Sequence, residues 1–230
     1  MSIRKQLDHA PRPGVRTFTP RWRTSPLTAE RMATLLPGAE VTMAPWDQEA
    51  LFGRRAPLTL EIGSGHGAAA IAYAVAHPRV HVIAAEVHVP GVARMLAAAQ
   101  AEGVNSIRVW RGDAVVLLRE VLPPGCLAAI HLFFPDPWPK KKHAKRRFIQ
   151  QHTLVLLRAA LTAEGVLRIA TDHAVYADHV REQVGAHGGW AMSEGDRPAW
   201  RPTDGFEAKG LAAGRSITDF TLRPLGLSAE

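Results

Sequence analysis

"PLTLEIGSGHGAAAIAYAVAHPRVHVIAAEV", Pro57 to Val87, decides the fold. It opens on a short apolar run carrying Leu58, Leu60 and Ile62, followed at once by Gly63, Gly65 and Gly67 at alternate positions. A small-residue stretch then runs unbroken until Pro78, and a second apolar run ends at Glu86. A strand, a tight glycine turn, a helix stopped by proline and another strand make one βαβ unit, which demands a parallel sheet.

The same alternation continues downstream. A helix is expected over 89–104, a strand over 106–113, a helix over 114–125, a strand over 126–137, a helix over 142–165, a strand over 166–173 and a helix over 174–189. The stretch 190–214 reads as loop-rich, and "RSITDFTLRPL" (215–225) alternates like a strand. Upstream, "SPLTAERMATLLP" (25–37) has the pattern of a short amphipathic helix with Ser25 or Thr28 as its cap.

At 230 residues with 47% hydrophobic content, the chain can bury one sizeable α/β core. Lys and Arg number 28 against 21 Asp and Glu, a net charge of +7 that suits a polyanion. Cys126 is the single cysteine, which excludes an internal disulfide and a cysteine-rich zinc site and leaves no metal expected. The N-terminal "MSIRKQLDHAPRPGVRTFTPRWR" has no apolar signal core, and no apolar run approaches the roughly 20 residues of a membrane span. The expectation is a cytoplasmic protein with no membrane partner. Residues 1–25 form a basic, proline-broken arm, free or ordered on a polyanion, and 26–230 one domain.

Open parallel sheets bind ligands beyond the carboxyl ends of their strands. Five acids fall there: Glu61, Glu86, Asp113, Asp136 and Asp172. G-x-G-x-G alone also fits nicotinamide-dinucleotide enzymes. S-adenosylmethionine is favoured because Glu61, just before Gly63 and Gly65, would repel a pyrophosphate and suits a cationic ammonium and sulfonium. Glu86 is placed for both ribose hydroxyls, a feature the two cofactors share. Asp113 is placed for an adenine amino group, with the Ala114 amide beside it.

The other half of the chemistry lies in "HLFFPDPWPKKKHAKRRFIQ", His131 to Gln150. Pro135 and Pro137 stiffen the turn that aims Asp136, and Trp138 stands ready to wall a pocket. Six of the eight residues from Lys140 to Arg147 are Lys or Arg. At a helix N-terminus such a run opposes the helix dipole, and a local penalty kept beside a site points to phosphate.

"LEIGSGHG", "AEVHVPGVARML", "RGDA", "FFPDPWPKKKHAKRR", "ATDH" and "RPTDGFE" together resemble the bacterial tRNA (guanine-N7-)-methyltransferases, the TrmB family, over roughly residues 16–222. The resemblance implies a Rossmann-like S-adenosylmethionine-dependent fold, a mostly parallel seven-stranded sheet with helices on both faces. It implies tRNA as partner and the variable-loop guanine (position 46) as target. Glu61, Glu86, Asp113 and Asp136 match cofactor-site acids, and Asp136 also the catalytic residue. Lys140 and Asp172 match substrate positions, and Lys142 to Arg147, including His143, Lys145 and Arg146, an RNA-contact segment. The family's Thr-x-(Phe/Tyr)-Glu motif falls on Asp204, Gly205, Phe206 and Glu207, with aspartate in place of the threonine. A methyltransferase for another RNA guanine or a small molecule, and a non-catalytic RNA-binding protein, remain as rival readings; oligomeric state is open.

Overall fold

The computed structural model describes residues 24–203 and 205–226. Residues 1–23, which hold nearly all of the expected arm, and Asp204 lie outside the described residues. Helix α1 (Pro26–Leu35) is capped by Ser25, whose Oγ accepts from the Thr28 amide at 3.2 Å. A short α2 (Gln48–Phe52) leads to β1 (Leu58–Ile62), α3 (Ala68–Ala76), β2 (His81–Ala85), α4 (Val89–Ala101) and β3 (Ile107–Trp110). Next come α5 (Ala114–Val116), which widens into a π-turn over Leu117–Val121, and β4 (Leu127–Phe133). A 3₁₀ segment (Lys141–Arg146), α6 (Gln151–Ala160), β5 (Leu161–Thr171), α7 (Ala174–His187), β6 (Trp190–Glu194), α8 (Gly205–Ala212) and β7 (Thr218–Pro224) complete the order.

The seven strands lie in the order β3-β2-β1-β4-β5-β7-β6. β1 to β5 are parallel, and β7 enters antiparallel between β5 and β6. Every residue of β1 and β2 is buried, as a strand covered on both faces must be. Side chains of β2 alternate between two cores: Ile83 and Ala85 enter one, Val82 and Ala84 the other. Helices therefore cover both faces, and the mostly parallel seven-stranded sheet agrees with the expectation.

Two expectations need correction. The helix expected over 142–165 is three pieces: the basic run is 3₁₀, α6 starts only at Gln151, and β5 begins at Leu161. Like charges three and four residues apart repel along a helix, and cations oppose its N-terminal dipole. The chain keeps them out of α6 and restarts with a reciprocal cap, in which the Gln150 amide donates to Thr153 Oγ1 at 2.9 Å. The stretch expected to be loop contains β6 and α8, two elements too short to show a period in the sequence.

Gly67 caps α3 with φ +85, and a Cβ there would lie 2.2 Å from Met95 Cγ and 2.8 Å from Met95 Cβ. Met95 is fully buried on α4 and has nowhere to move. Gly67→Ala is expected to cost on the order of 3 kcal/mol from left-handed strain and overpacking. Thermal melting should show a drop of roughly 6–12 °C; an unchanged Tm would refute the close approach.

Candidate cofactor and base site

The topological switch lies between β1 and β4, and at their carboxyl ends opens a cleft of about 550 Å³. The loop after β1 forms its floor. Gly63 (φ 73) and Gly65 (φ 58) are left-handed, with open space where a Cβ would be, so a ligand can approach their backbone. Gly91, at the start of α4, supports this loop from behind: a Cβ there would sit 2.5 Å from the Gly65 carbonyl oxygen. Sequence reasoning passed over Gly91, because its close neighbour is distant along the chain.

Glu86 accepts from the amides of Gly65 (2.6 Å), Val87 (2.7 Å) and His88 (2.8 Å), locking the carboxylate at the cleft wall. Asp113 Oδ1 caps α5 through the Val115 amide at 2.9 Å, and Asp113 and Ala114 both line the cleft. Asp136 lines it from the turn after β4 and is exposed. The residues two before and two after it, Phe134 (φ 51) and Trp138 (φ 40), are non-glycine residues in the left-handed region. Pro135 and Pro137 fix their own φ angles on either side of Asp136. The turn that carries Asp136 is strained as well as stiff.

Glu61 is placed differently from its neighbours. It does not line the cleft but lies buried in β1 below the glycine loop. Its Oε2 and His131 Nδ1 are 4.0 Å apart, and neither has a hydrogen-bond partner among the described residues. Burial pushes the Glu61 carboxyl up to about 8, against a hydrogen bond from the Ala70 backbone and with repulsion from Glu86. Burial, then the charges of Arg168, His77 and Arg201, push His131 down to about 3.

Folded Glu61 keeps a proton that the unfolded chain loses near 4.5, so its contribution to stability falls as pH rises from 4.5 to about 8. Folded His131 stays neutral where the unfolded chain is protonated, so its contribution rises from about 3 to 6.5. The two offset between 4.5 and 6.5, and above that Glu61 acts alone. The Tm of the ligand-free protein is expected to fall across roughly pH 6.5–8, and Glu61→Gln to flatten the fall. A fall of equal size in the variant would disprove the assignment.

These groups fit S-adenosylmethionine. Gly63 and Gly65 leave their backbone open to a ligand along the cleft, whereas Glu61 and Ser64 lie outside its lining. Glu86 and Asp113 present carboxylates along the wall that would take ribose and adenine.

Comparisons with known proteins agree. A methyltransferase family model, described as "Putative methyltransferase", matches residues 55–220. The tRNA (guanine-N(7)-)-methyltransferase of Leifsonia xyli is 40% identical over 226 residues, covering 95% of this chain and all of that one. That of Sodalis glossinidius is 45% identical over 187 residues, 79% of this chain and 78% of its own. The chain belongs to the tRNA (guanine-N7-)-methyltransferase family. Among solved structures, the 16S rRNA methyltransferase KamB aligns with TM-score 0.57 at 13% identity, over 77% of this chain and 92% of that one. At that identity the likeness concerns the fold.

For a tRNA (guanine-N7-)-methyltransferase, the acceptor side holds the surprises. Phe206, on α8, lines the cleft with 64% of its surface exposed. Its neighbour Glu207 is turned away and buried, bonded by Arg197 (2.7 Å) and Arg201 (3.0 Å). Burial works against the Glu207 carboxylate, but the bonds from Arg197 and Arg201 more than offset it and hold it below its usual range. Asp172, at the end of β5, is outside the cleft lining and ion-paired with Arg215 at 2.7 Å. The structure thus sets these two carboxylates in ion pairs, apart from Asp136.

The basic run also divides. Lys140 and Lys142 are exposed and outside the lining, whereas Lys145 and Arg146 are exposed and line the cleft. His143 meets Trp138 edge-on at 5.7 Å, and the Arg146 guanidinium sits 4.2 Å over the Trp138 ring. Arg147, expected among the RNA contacts, is 8% exposed and donates to the carbonyls of Pro137 (3.1 Å) and Trp138 (3.0 Å). A guanidinium so engaged is not presented to a phosphate. Arg119 and His152 also line the cleft, unmarked by any motif in the sequence.

Proposed function

We propose that this protein transfers a methyl group from S-adenosylmethionine to N7 of a guanine in tRNA, the variable-loop guanine (position 46), in the cytoplasm. The observation that carries the reading is Asp136, held on a strained turn at the wall of one cleft that also takes in the glycine loop, Lys145 and Arg146. S-adenosylmethionine supplies an electrophilic methyl group on a sulfonium. Guanine N7 has a lone pair and no proton in the neutral base, so the protein need not remove one. Its work is positioning and electrostatics. Asp136 accepts from guanine N1–H and the N2 amino group, which selects guanine over adenine and stabilises the positive charge that develops on the purine. Trp138 and Phe206 provide aromatic walls for the base.

Lys145 and Arg146 hold the RNA backbone. Among the described residues no helix is long and apolar enough to cross a membrane, and no cluster of metal-ligating side chains occurs. With Arg147 buried, the salt dependence of tRNA affinity should reflect two of the last three cations in the run. Replacing Lys145 and Arg146 with alanine together is expected to flatten the log–log salt slope by about 1.5. An unchanged slope places the RNA elsewhere.

The deciding experiment is transfer of labelled methyl from S-adenosylmethionine to unmodified tRNA, with the product nucleotide identified. N7-methylguanosine at the variable loop is the expected product. Label on another base, or none, overturns the proposal.

A further inference from the structure

Three prolines, Pro135, Pro137 and Pro139, deprive the Asp136 turn of half the backbone donors it would otherwise have. Left-handed, bulky residues such as Phe134 and Trp138 persist only where their surroundings enforce them. On the strand side the enforcement is clear: the Phe134 amide donates to the Ala170 carbonyl at 2.8 Å, extending the β4–β5 ladder. On the far side, the bonds from Arg147 to the carbonyls of Pro137 and Trp138 are in place, one from Nε and one from Nη2. Arg147 is itself fixed, its amide donating to the Ala144 carbonyl at 3.0 Å and its carbonyl accepting from Gln150 Nε2 at 3.3 Å.

We propose that Arg147 is a positioning residue for methyl transfer: it holds the Asp136 turn by its two carbonyl bonds and takes no part in gripping RNA phosphate. A guanidinium is suited to this task, because its planar fork spans two carbonyls at once, which a lysine ammonium does not do with the same fixed geometry. It also joins the basic segment to the catalytic turn. Arg146, one residue earlier, stacks on Trp138 while Arg147 bonds the carbonyl of the same tryptophan. The assignment rests on Asp136 as the residue that orients guanine.

The test compares Arg147→Ala and Arg147→Lys with Asp136→Asn in the full-length protein. It reads kcat, KM for tRNA, the salt slope of tRNA binding and S-adenosylmethionine binding by calorimetry. Both Arg147 variants should lose kcat by about tenfold or more, with KM within about twofold and the salt slope unchanged. Added methylguanidinium should restore part of the kcat of Arg147→Ala and none of that of Asp136→Asn. If Arg147→Ala does not fold, Arg147→Lys decides on the same readouts. Wild-type kcat in Arg147→Lys, or a salt slope flattened by about 0.7–0.9 in Arg147→Ala, overturns the proposal and returns Arg147 to the RNA contacts. Loss of kcat in the Arg147 variants with full activity in Asp136→Asn overturns the coupling to Asp136 and faults that reading alone.

Discussion

Asp136→Asn is expected to lower kcat for tRNA methylation about 100-fold, with little change in Tm. The substitution keeps size and shape and removes the charge. Asp136 is exposed at the cleft wall, so its loss leaves no buried group unpaired. The amide must also turn one N–H toward a base edge that presents only donors. Catalytic and structural effects should therefore separate cleanly: steady-state kinetics move and the melting curve does not. Activity within about threefold of wild type, in a folded variant that binds cofactor, would refute the role. An effect on KM alone would make Asp136 a uniform binding contact rather than one that strengthens as charge develops.

The second large effect is on stability. Arg201→Ala is expected to cost about 3–5 kcal/mol, because removing one partner of a buried ion pair strands the others. Arg201 is 3% exposed, and its guanidinium bonds both Glu207 and Asp219, tying α8 to β7. It also lies 5.0 Å over the Phe133 ring and 5.5 Å over Phe134, at the end of β4. Without it Glu207 keeps Arg197, and the Asp219 carboxylate loses its ion pair. The Tm should fall by about 10 °C. Arg181→Ala is the contrast: its pair with Glu194 is 41% and 39% exposed, and its loss should cost less than about 1 kcal/mol. Equal effects for the two variants would show that burial is not what matters. Acid should act on the same network. The Glu207 carboxylate is held below 4.5, so its contribution is present above that value and lost as pH falls beneath it.

Much of the site could be read along the chain because it is local. Gly63, Gly65, Glu86, Asp113 and Asp136 each follow a strand by a few residues, and strand ends converge in any parallel sheet. Phe206 could be named from its motif, and it lines the cleft. The motif did not tell which way its neighbour faces: Glu207, one residue on, points to the buried Arg201 and to Arg197. Arg146 and Arg147 are adjacent and chemically alike, yet one is exposed over Trp138 and the other buried against its carbonyl. Charge runs record composition, whereas burial depends on what the rest of the chain brings alongside.

The order of strands and helices, the cofactor loop and the acidic wall were set by apolar periodicity, glycine, proline and the rule that ligands gather beyond parallel strand ends. Those signals act within a few residues and survive without a tertiary context. Tertiary structure alone decided that Glu61 is buried beside His131, that α6 excludes the basic run, and that Arg147, Glu207 and Arg201 are braces. Each is a matter of desolvation, and the desolvation of a charged group depends on neighbours far along the chain. Asp136 shows both: its position follows from a strand and two prolines, and its aim from an arginine that looked like part of an RNA grip.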